Sequence, residues 1–248
     1  MKIINKKQKS LLSRIKSGSK ILSKSFTIRD NSKTKNILVS REGIGIIKTT
    51  YGNFWYFNFH ISDKWKNYSV IVRANKLDKN LNPVFKNKKT LILRIDSGCD
   101  TGQIFDDLTC DCKKQLQKAM NIIAKEKEGI IIRINGQDGR GMGLPFKLAT
   151  LWIQEELEIN TIEAAKLIGN KEQIEKRNYV GAISILKFFN ISPKIIINLL
   201  TNNPKKTKSL LQNGFSKTNQ IPFNITPTKN TRIHLEAKKD YFKCTYEN

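Results

Sequence analysis

Three of the four cysteines in this 248-residue chain lie in "SGCDTGQIFDDLTCDC", residues 97–112: Cys99, Cys110 and Cys112. Their neighbours are aspartates and threonines, which sets them apart from cysteines that serve as small buried hydrophobes. Cys110 and Cys112 stand two residues apart, so on an extended segment their thiols face the same way and can share one metal. A helical pattern begins just after Cys112, and its positive N-terminal end favours thiolates beside it. With Cys99 brought in from its own loop, three thiolates leave Zn²⁺ one short of its usual four ligands. Two readings stay open. The fourth position belongs to water or substrate, as in a catalytic site, or a structural site is completed by Cys244, His60 or His234, none of which is near in sequence.

The elements that must position these thiols follow from periodicity. "GIGIIKTTYGNFWYFNFHI" reads as two β-rich runs with Gly52 at the turn, and "YSVIVRA" and "TLILRID" continue the β pattern across a loop near residues 77–89. After Cys112, the spacing of Leu116, Ala119, Met120, Ile123 and Ala124 predicts a helix, with Gly129 as its stop. "GIIIRI" is a short apolar strand of the buried kind. "NGQDGRGMGLP" reads as a loop, followed by a helix from Pro145 to about Leu157. "YVGAISILKFF" predicts a helix, "PKIIINLL" a buried strand, and "NPKKTKSLLQN" a helix stopped by Gly214. Alternating strands and helices imply a layered α/β core, a mixed sheet with flanking helices and a β-rich N-terminal part.

Composition bounds the rest. The 39% hydrophobic content argues against a disordered chain, and no apolar run is long enough to span a bilayer, which places the protein in the cytoplasm. Few cysteines fit a reducing compartment. The net charge of +24 attracts polyanions, yet it is spread over the chain and favours a lysine-rich surface with anionic substrates over a dedicated nucleic-acid binder. Residues 1–42 read as a basic, mobile N-terminal extension, with a short amphipathic helix through Leu11, Leu12 and Ile15 interrupted at "SGS"; residues 43–248 read as the α/β domain.

Four motifs in order, "RIDSGCDTGQIFDDLTCDCKKQL", "GQDGRGMGLPFKL", "EKRNYVGAISILKFFNI" and "LLTNNPKK", resemble the GTP cyclohydrolase II family, over residues 45 to about 243. The resemblance implies a homodimeric enzyme of that fold. It implies zinc on Cys99, Cys110 and Cys112, with water at the open position for attack on the purine imidazole ring. It also implies pyrophosphate release from a nucleoside triphosphate, most simply GTP, with Mg²⁺ on the phosphates. Arg177 matches a proposed nucleophile on the α-phosphate, although a phosphate clamp is the ordinary role of such an arginine. Glu175 matches the associated proton acceptor. Arg94, Ser97, Gln115, Asp138, Gly139, Arg140, Thr161, Thr201 and Lys206 match nucleotide-binding positions. Each has a plain structural alternative, such as helix capping for Thr161. The segment holding Thr201 and Lys206 follows a strand and opens a helix, which suits anion binding without any family likeness.

Departures from the family pattern fall close to the motifs. Glu175 stands for an aspartate, Asp138 for a glutamate, Asp96 for a histidine, Gly98 for a glutamate and Gln103 for an acid. Leu151 stands for a tyrosine implicated in the hydrolytic chemistry, and leucine neither donates nor accepts a hydrogen bond. An enzyme lacking that hydroxyl is expected to open the ring and keep the formyl group, or to take another nucleotide. A zinc-stabilised, inactive nucleotide- or nucleic-acid-binding regulator is the alternative from outside the enzymes.

Overall fold

Alternation of small or charged residues with Phe, Ile and Val gives the first strands one wet and one dry face, and dictates a sheet packed on one side. In the computed structural model, which describes residues 5–18, 20–169 and 174–243, α1 (Lys6–Gly18) precedes an antiparallel meander. The meander comprises β1 (Leu22–Asp30), β2 (Lys33–Thr49), β3 (Gly52–Ile61) and β4 (Asn67–Arg73). A two-residue ladder, β5 (Lys76–Leu77) with β6 (Pro83–Val84), leads into β7 (Thr90–Ser97). The short α2 (Asp100–Gln103), α3 (Cys112–Glu126), β8 (Gly129–Ile134) and a distorted turn, α4 (Asp138–Gly141), follow. Next come α5 (Leu144–Leu157), α6 (Thr161–Ile168), α7 (Val180–Phe188), β9 (Ile196–Leu200), α8 (Pro204–Leu211), β10 (Thr218–Ile221) and α9 (Lys229–Phe242).

The main sheet runs β1-β2-β3-β4-β8-β7-β9-β10. It is antiparallel as far as the β4–β8 pair and parallel from β8 through β7 and β9 to β10. The fold is thus the expected mixed α/β sheet with flanking helices. Helix α7 is apolar on nearly every side and sits against one face, packing with Phe57, Val70, Ile130, Ile132 and Ile134. Helix α3 covers the other face, where Ala119 and Ile123 meet Phe54, Ile131 and Phe223. Successive residues of β8 therefore serve opposite cores, which explains an apolar run without alternation. Each fully buried aliphatic or aromatic side chain stabilises by about 1.5–3 kcal/mol over exposure.

Three expectations need correction. Residues 22–42 are no mobile arm: they form β1 and most of β2, and β2 continues past residue 42 with only a bulge between Arg41 and Gly43. Ile28, Ile37 and Val39 are core residues, hidden in the sequence by the lysines and serines that alternate with them on the solvent face. Helix α1 does form, with Leu11, Leu12 and Ile15 largely exposed and Arg14 donating to the carbonyls of Leu77 and Asp78 at 3.0 and 2.7 Å. Helix α3 ends before Gly129, with Lys127 in the left-handed conformation at φ 62°. Among the described residues, no helix is long and apolar enough to cross a membrane.

Candidate active site

At the carboxyl ends of the parallel strands, the chain leaves β7, β8 and β9 through three polar loops, the usual place for a ligand in such sheets. One cleft there is lined by Arg94, Ser97, Cys99, Cys110, Cys112, Gln115, Asp138, Gly139, Arg140, Thr161, Arg177, Thr201 and Lys206. Of the residues expected at the site, Glu175 alone is not on the wall. It lies behind Arg177, accepting from Nε at 2.8 Å and pairing with Nη2.

The thiols of Cys99, Cys110 and Cys112 lie within 4.8 Å of one another and form no disulfide. Cys99 Sγ and Cys110 Sγ are 3.7 Å apart. Tetrahedral zinc with Zn–S bonds of about 2.3 Å sets its sulfurs about 3.8 Å apart, so the spacing fits the ion. Charge points the same way. Hydrogen bonds from Cys110 and Cys112 hold the Cys99 thiol far below its usual range. Cys110 gains from Cys112, but its bond to Cys99 and its burial push it up to about 12. Cys112 is raised further by its bonds to both thiols and by burial. Three thiolates so close need a cation to coexist. Gly102 lets α2 approach, because a Cβ there would meet Cys110 Sγ at 2.8 Å. Among the described residues neither histidine joins the cluster: His60 is exposed on β3, and His234 Nδ1 accepts from the Thr161 amide at 3.3 Å. Cys244 lies outside the described residues.

The cleft is also rich in cations. Arg94, Arg140, Lys147, Arg177, Lys206 and Lys238 face three carboxylates, Asp96, Asp111 and Asp138. Lys206, 5% exposed, donates to the Ile95 carbonyl at 2.7 Å. Burial and then the neighbouring Arg94 and Arg177 lower its pKa well below the ordinary lysine value. Burial opposes charge on Arg177 as well, but Glu175 overcomes it and keeps the guanidinium protonated. Burial and then Arg177 lower Arg140 to about 10. Cys112 contributes to the electrostatic surroundings of both Arg177 and Lys206, so the thiol cluster and the cations belong to one site.

Local structure explains how the remaining side chains arrive. Gly139 and Arg140 both take left-handed backbone, at φ 55° and 57°, a conformation glycine adopts freely and arginine rarely. That turn aims Arg140 at Thr161, whose carbonyl and hydroxyl accept from Nη2 at 2.8 and 2.7 Å. Thr161 is not the helix cap considered from the sequence. Asn160 caps α6, in a capping box with Glu163, and frees Thr161 for the arginine. Arg94 donates to the Leu200 carbonyl at 3.0 Å and to Gln115 at 2.5 Å, and Gln115 in turn donates to Asp111 at 2.6 Å. Thr201 accepts from the Asn203 amide at 3.1 Å, and Asn203 caps α8. The Ser97 hydroxyl, Asp138 Oδ2, Gln137 Oε1 and Arg94 Nε are buried with no partner.

Sequence reasoning did not single out several wall residues. Gln137, Lys147, Asn202 and Asn203 sat inside the quoted motifs and were there to be found. Phe223, Lys238 and Phe242 carried no local signal, since only the docking of α9 against α6 and the exit from β10 brings them in. Leu151 is not on the cleft wall, although its neighbour Thr150 is.

The GTP cyclohydrolase II family model matches residues 45–222. GTP cyclohydrolase-2 of Picrophilus torridus is 34% identical over 197 residues, covering 78% of this chain and 92% of that protein. The riboflavin biosynthesis protein RibBA of Phocaeicola vulgatus is 33% identical over 192 residues, covering 77% of this chain and 44% of that protein. RibBA of Endomicrobium trichonymphae is 36% identical over 157 residues, 63% of this chain and 37% of that protein. The chain thus spans less than half the length of these RibBA relatives. A thiol cluster that fits zinc, a cationic wall beside it and a family match over most of the chain agree: the chain belongs to the GTP cyclohydrolase II family.

Proposed function

We propose that the cleft opens the imidazole ring of GTP by zinc-dependent hydrolysis and releases pyrophosphate from the triphosphate end. The juxtaposition of Cys99, Cys110 and Cys112 with the half-buried Arg177 and the buried Lys206 carries this reading. Zinc held by the three thiolates would supply Lewis acidity and lower the pKa of water, which permits hydrolysis of a purine amidine at neutral pH. Arg177 clamps phosphate oxygens, because Glu175 holds it charged and in a fixed orientation; a guanidinium so held is a poor nucleophile. Lys206 sits ready to share its charge with the phosphates, and Mg²⁺ accompanies them. Arg140, fixed by Thr161, and Lys238 extend the anion-binding wall. The unpartnered Ser97 hydroxyl and Asp138 Oδ2 are the groups to receive the polar edge of the base.

A second reading, arrest after ring opening with the formyl group retained, rests only on the missing hydroxyl at Leu151, a side chain that lies off the cleft wall. The reading also includes a homodimer. Ile104, Phe105 and Leu108 before Cys110, with Leu148 and Trp152 on α5, form exposed apolar surface that a second copy would cover. Zinc-loaded protein incubated with a panel of nucleoside triphosphates, read by mass spectrometry and a pyrophosphate assay, tests the activity. A ring-opened guanine product with pyrophosphate is expected, and its mass shows whether formate has left. Intact triphosphates throughout the panel would sink the proposal.

A further inference from the structure

Cys110 and Cys112 lie at the start of α3, which is anchored through Ala119 and Ile123, whereas Cys99 hangs on the separate loop after β7. Bringing three thiols within 4.8 Å therefore requires that this loop be fixed independently. The only charged side chain of β8, Arg133, stands behind it and is directly opposite Asp96 of β7 in the parallel register. Arg133 is not on the cleft wall.

We propose that Arg133 is the positioning residue of the thiol cluster, a three-way brace relayed through Gln103 to Asp96. Its Nε donates to Gln103 Oε1 at 2.8 Å, Nη1 to Asn135 Oδ1 at 2.5 Å and Nη2 to Asp100 Oδ1 at 3.0 Å. Gln103 spreads the load. Its Oε1 also receives the Cys99 amide at 3.4 Å, and its Nε2 donates to Asp96 Oδ1 at 2.7 Å. Asp96 is 2% exposed and lies 3.6 Å from the guanidinium of Arg94, so the brace reaches the cationic wall. The backbone on both sides of Cys99 is pinned as well: Gly98 donates to the Ile134 carbonyl at 3.0 Å and Asp100 to Asp138 Oδ1 at 2.9 Å. Gly98 is required because a Cβ there would stand 2.7 Å from the Ile134 oxygen and 3.0 Å from the Arg133 guanidinium carbon. Three divergent donors in one plane are what a guanidinium offers and an ammonium does not.

The proposal rests on the reading that the thiols hold a metal, and the test separates the two. Zn²⁺ affinity by chelator competition and the cobalt–thiolate absorption of Co²⁺-loaded protein are measured for the intact chain and for R133K, Q103E, D96N and the Q103E/D96N pair, alongside kcat and KM. R133K is expected to weaken metal binding by about 10–100-fold and to perturb the cobalt spectrum. In Q103E a carboxylate faces Asp96, so a comparable loss is expected, falling on kcat more than on KM. D96N alone changes metal affinity little, because its side-chain oxygen still accepts from Gln103, while loss of its charge beside Arg94 falls on KM. In the double variant the new asparagine amide donates to the new glutamate, which still faces Arg133, and binding recovers. R133K and Q103E that match wild type, or a double variant no better than Q103E, would overturn the brace. Wild-type protein that takes up neither metal would overturn the metal reading and the brace with it.

Discussion

Beneath α7, the antiparallel strands bury Phe57 and Phe59 edge-on to Phe189 and Phe188, with ring centroids 5.0 to 5.5 Å apart. At the carboxyl ends of β7, β8 and β9, the buried side chains are instead Arg94, Asp96, Asp138 and Lys206. The first region is organised by close apolar packing, where volume decides the outcome. The second buries charged side chains of both signs and leaves Ser97, Gln137 and Asp138 with unpartnered atoms, an arrangement that costs the fold stability. One apolar core thus runs under both halves of the sheet, while the buried charges collect at the carboxyl ends of its parallel strands.

The sharpest break between the regions is Cys110→Ser. Zinc content and turnover are expected to vanish while the far-ultraviolet circular dichroism spectrum holds, because the apolar cores do not involve the thiols; collapse of the fold would make the metal structural. In the packed region, Gly181→Ala sets a Cβ 2.1 Å from the Tyr68 hydroxyl, and Tyr68 is held there by its hydrogen bond to Asp63. Denaturant unfolding should show a loss of about 1–3 kcal/mol, with KM of the folded fraction unchanged. Lys206→Met should do the reverse. Removing a buried cation from beside Arg94 and Arg177 should stabilise the protein by about 0.5–2 kcal/mol and raise KM for the triphosphate; a destabilised variant with unaltered KM would contradict the contrast.

The smallest effect concerns the rim. His234 packs near Lys238 of its own helix, Lys147 of α5, Arg140 of α4 and Asp107, and burial, then Lys238, depress its pKa. Its neutral Nδ1 accepts from the Thr161 amide. The folded state holds the proton less tightly than the unfolded chain, so stability rises with pH across the window from the depressed value to about 6.5, and falls as pH drops through it. Amide exchange in α9 should accelerate below that window, and His234→Gln should flatten the dependence.

Much of this organisation was legible because it is local. The strand-to-helix alternation and the apolar β8 could be read directly, since period and burial follow from neighbouring residues. The exceptions are instructive. Strand β1 and the first part of β2, up to residue 42, looked like a basic tail because their lysines mask the alternation of Phe26, Ile28, Ile37 and Val39. Strand β10 and helix α9 passed without a reading. Gly98 and Gln103, which in sequence looked like separate departures from a family pattern, meet at the Arg133 guanidinium, and Gln103 ties a third departure, Asp96, into the same network.

The sequence by itself determined which side chains could bind a metal and phosphate, because cysteine spacing and a strand followed by a helix start are written in consecutive residues. Only the tertiary structure decided that Arg133 braces the Cys99 loop, that Glu175 serves the cleft from behind Arg177, and that Lys238 and Phe242 complete its rim. Those relations join residues far apart in the chain. They exist only once β8 has paired with β7 and α9 has docked against α6, and no local pattern of residues encodes either event.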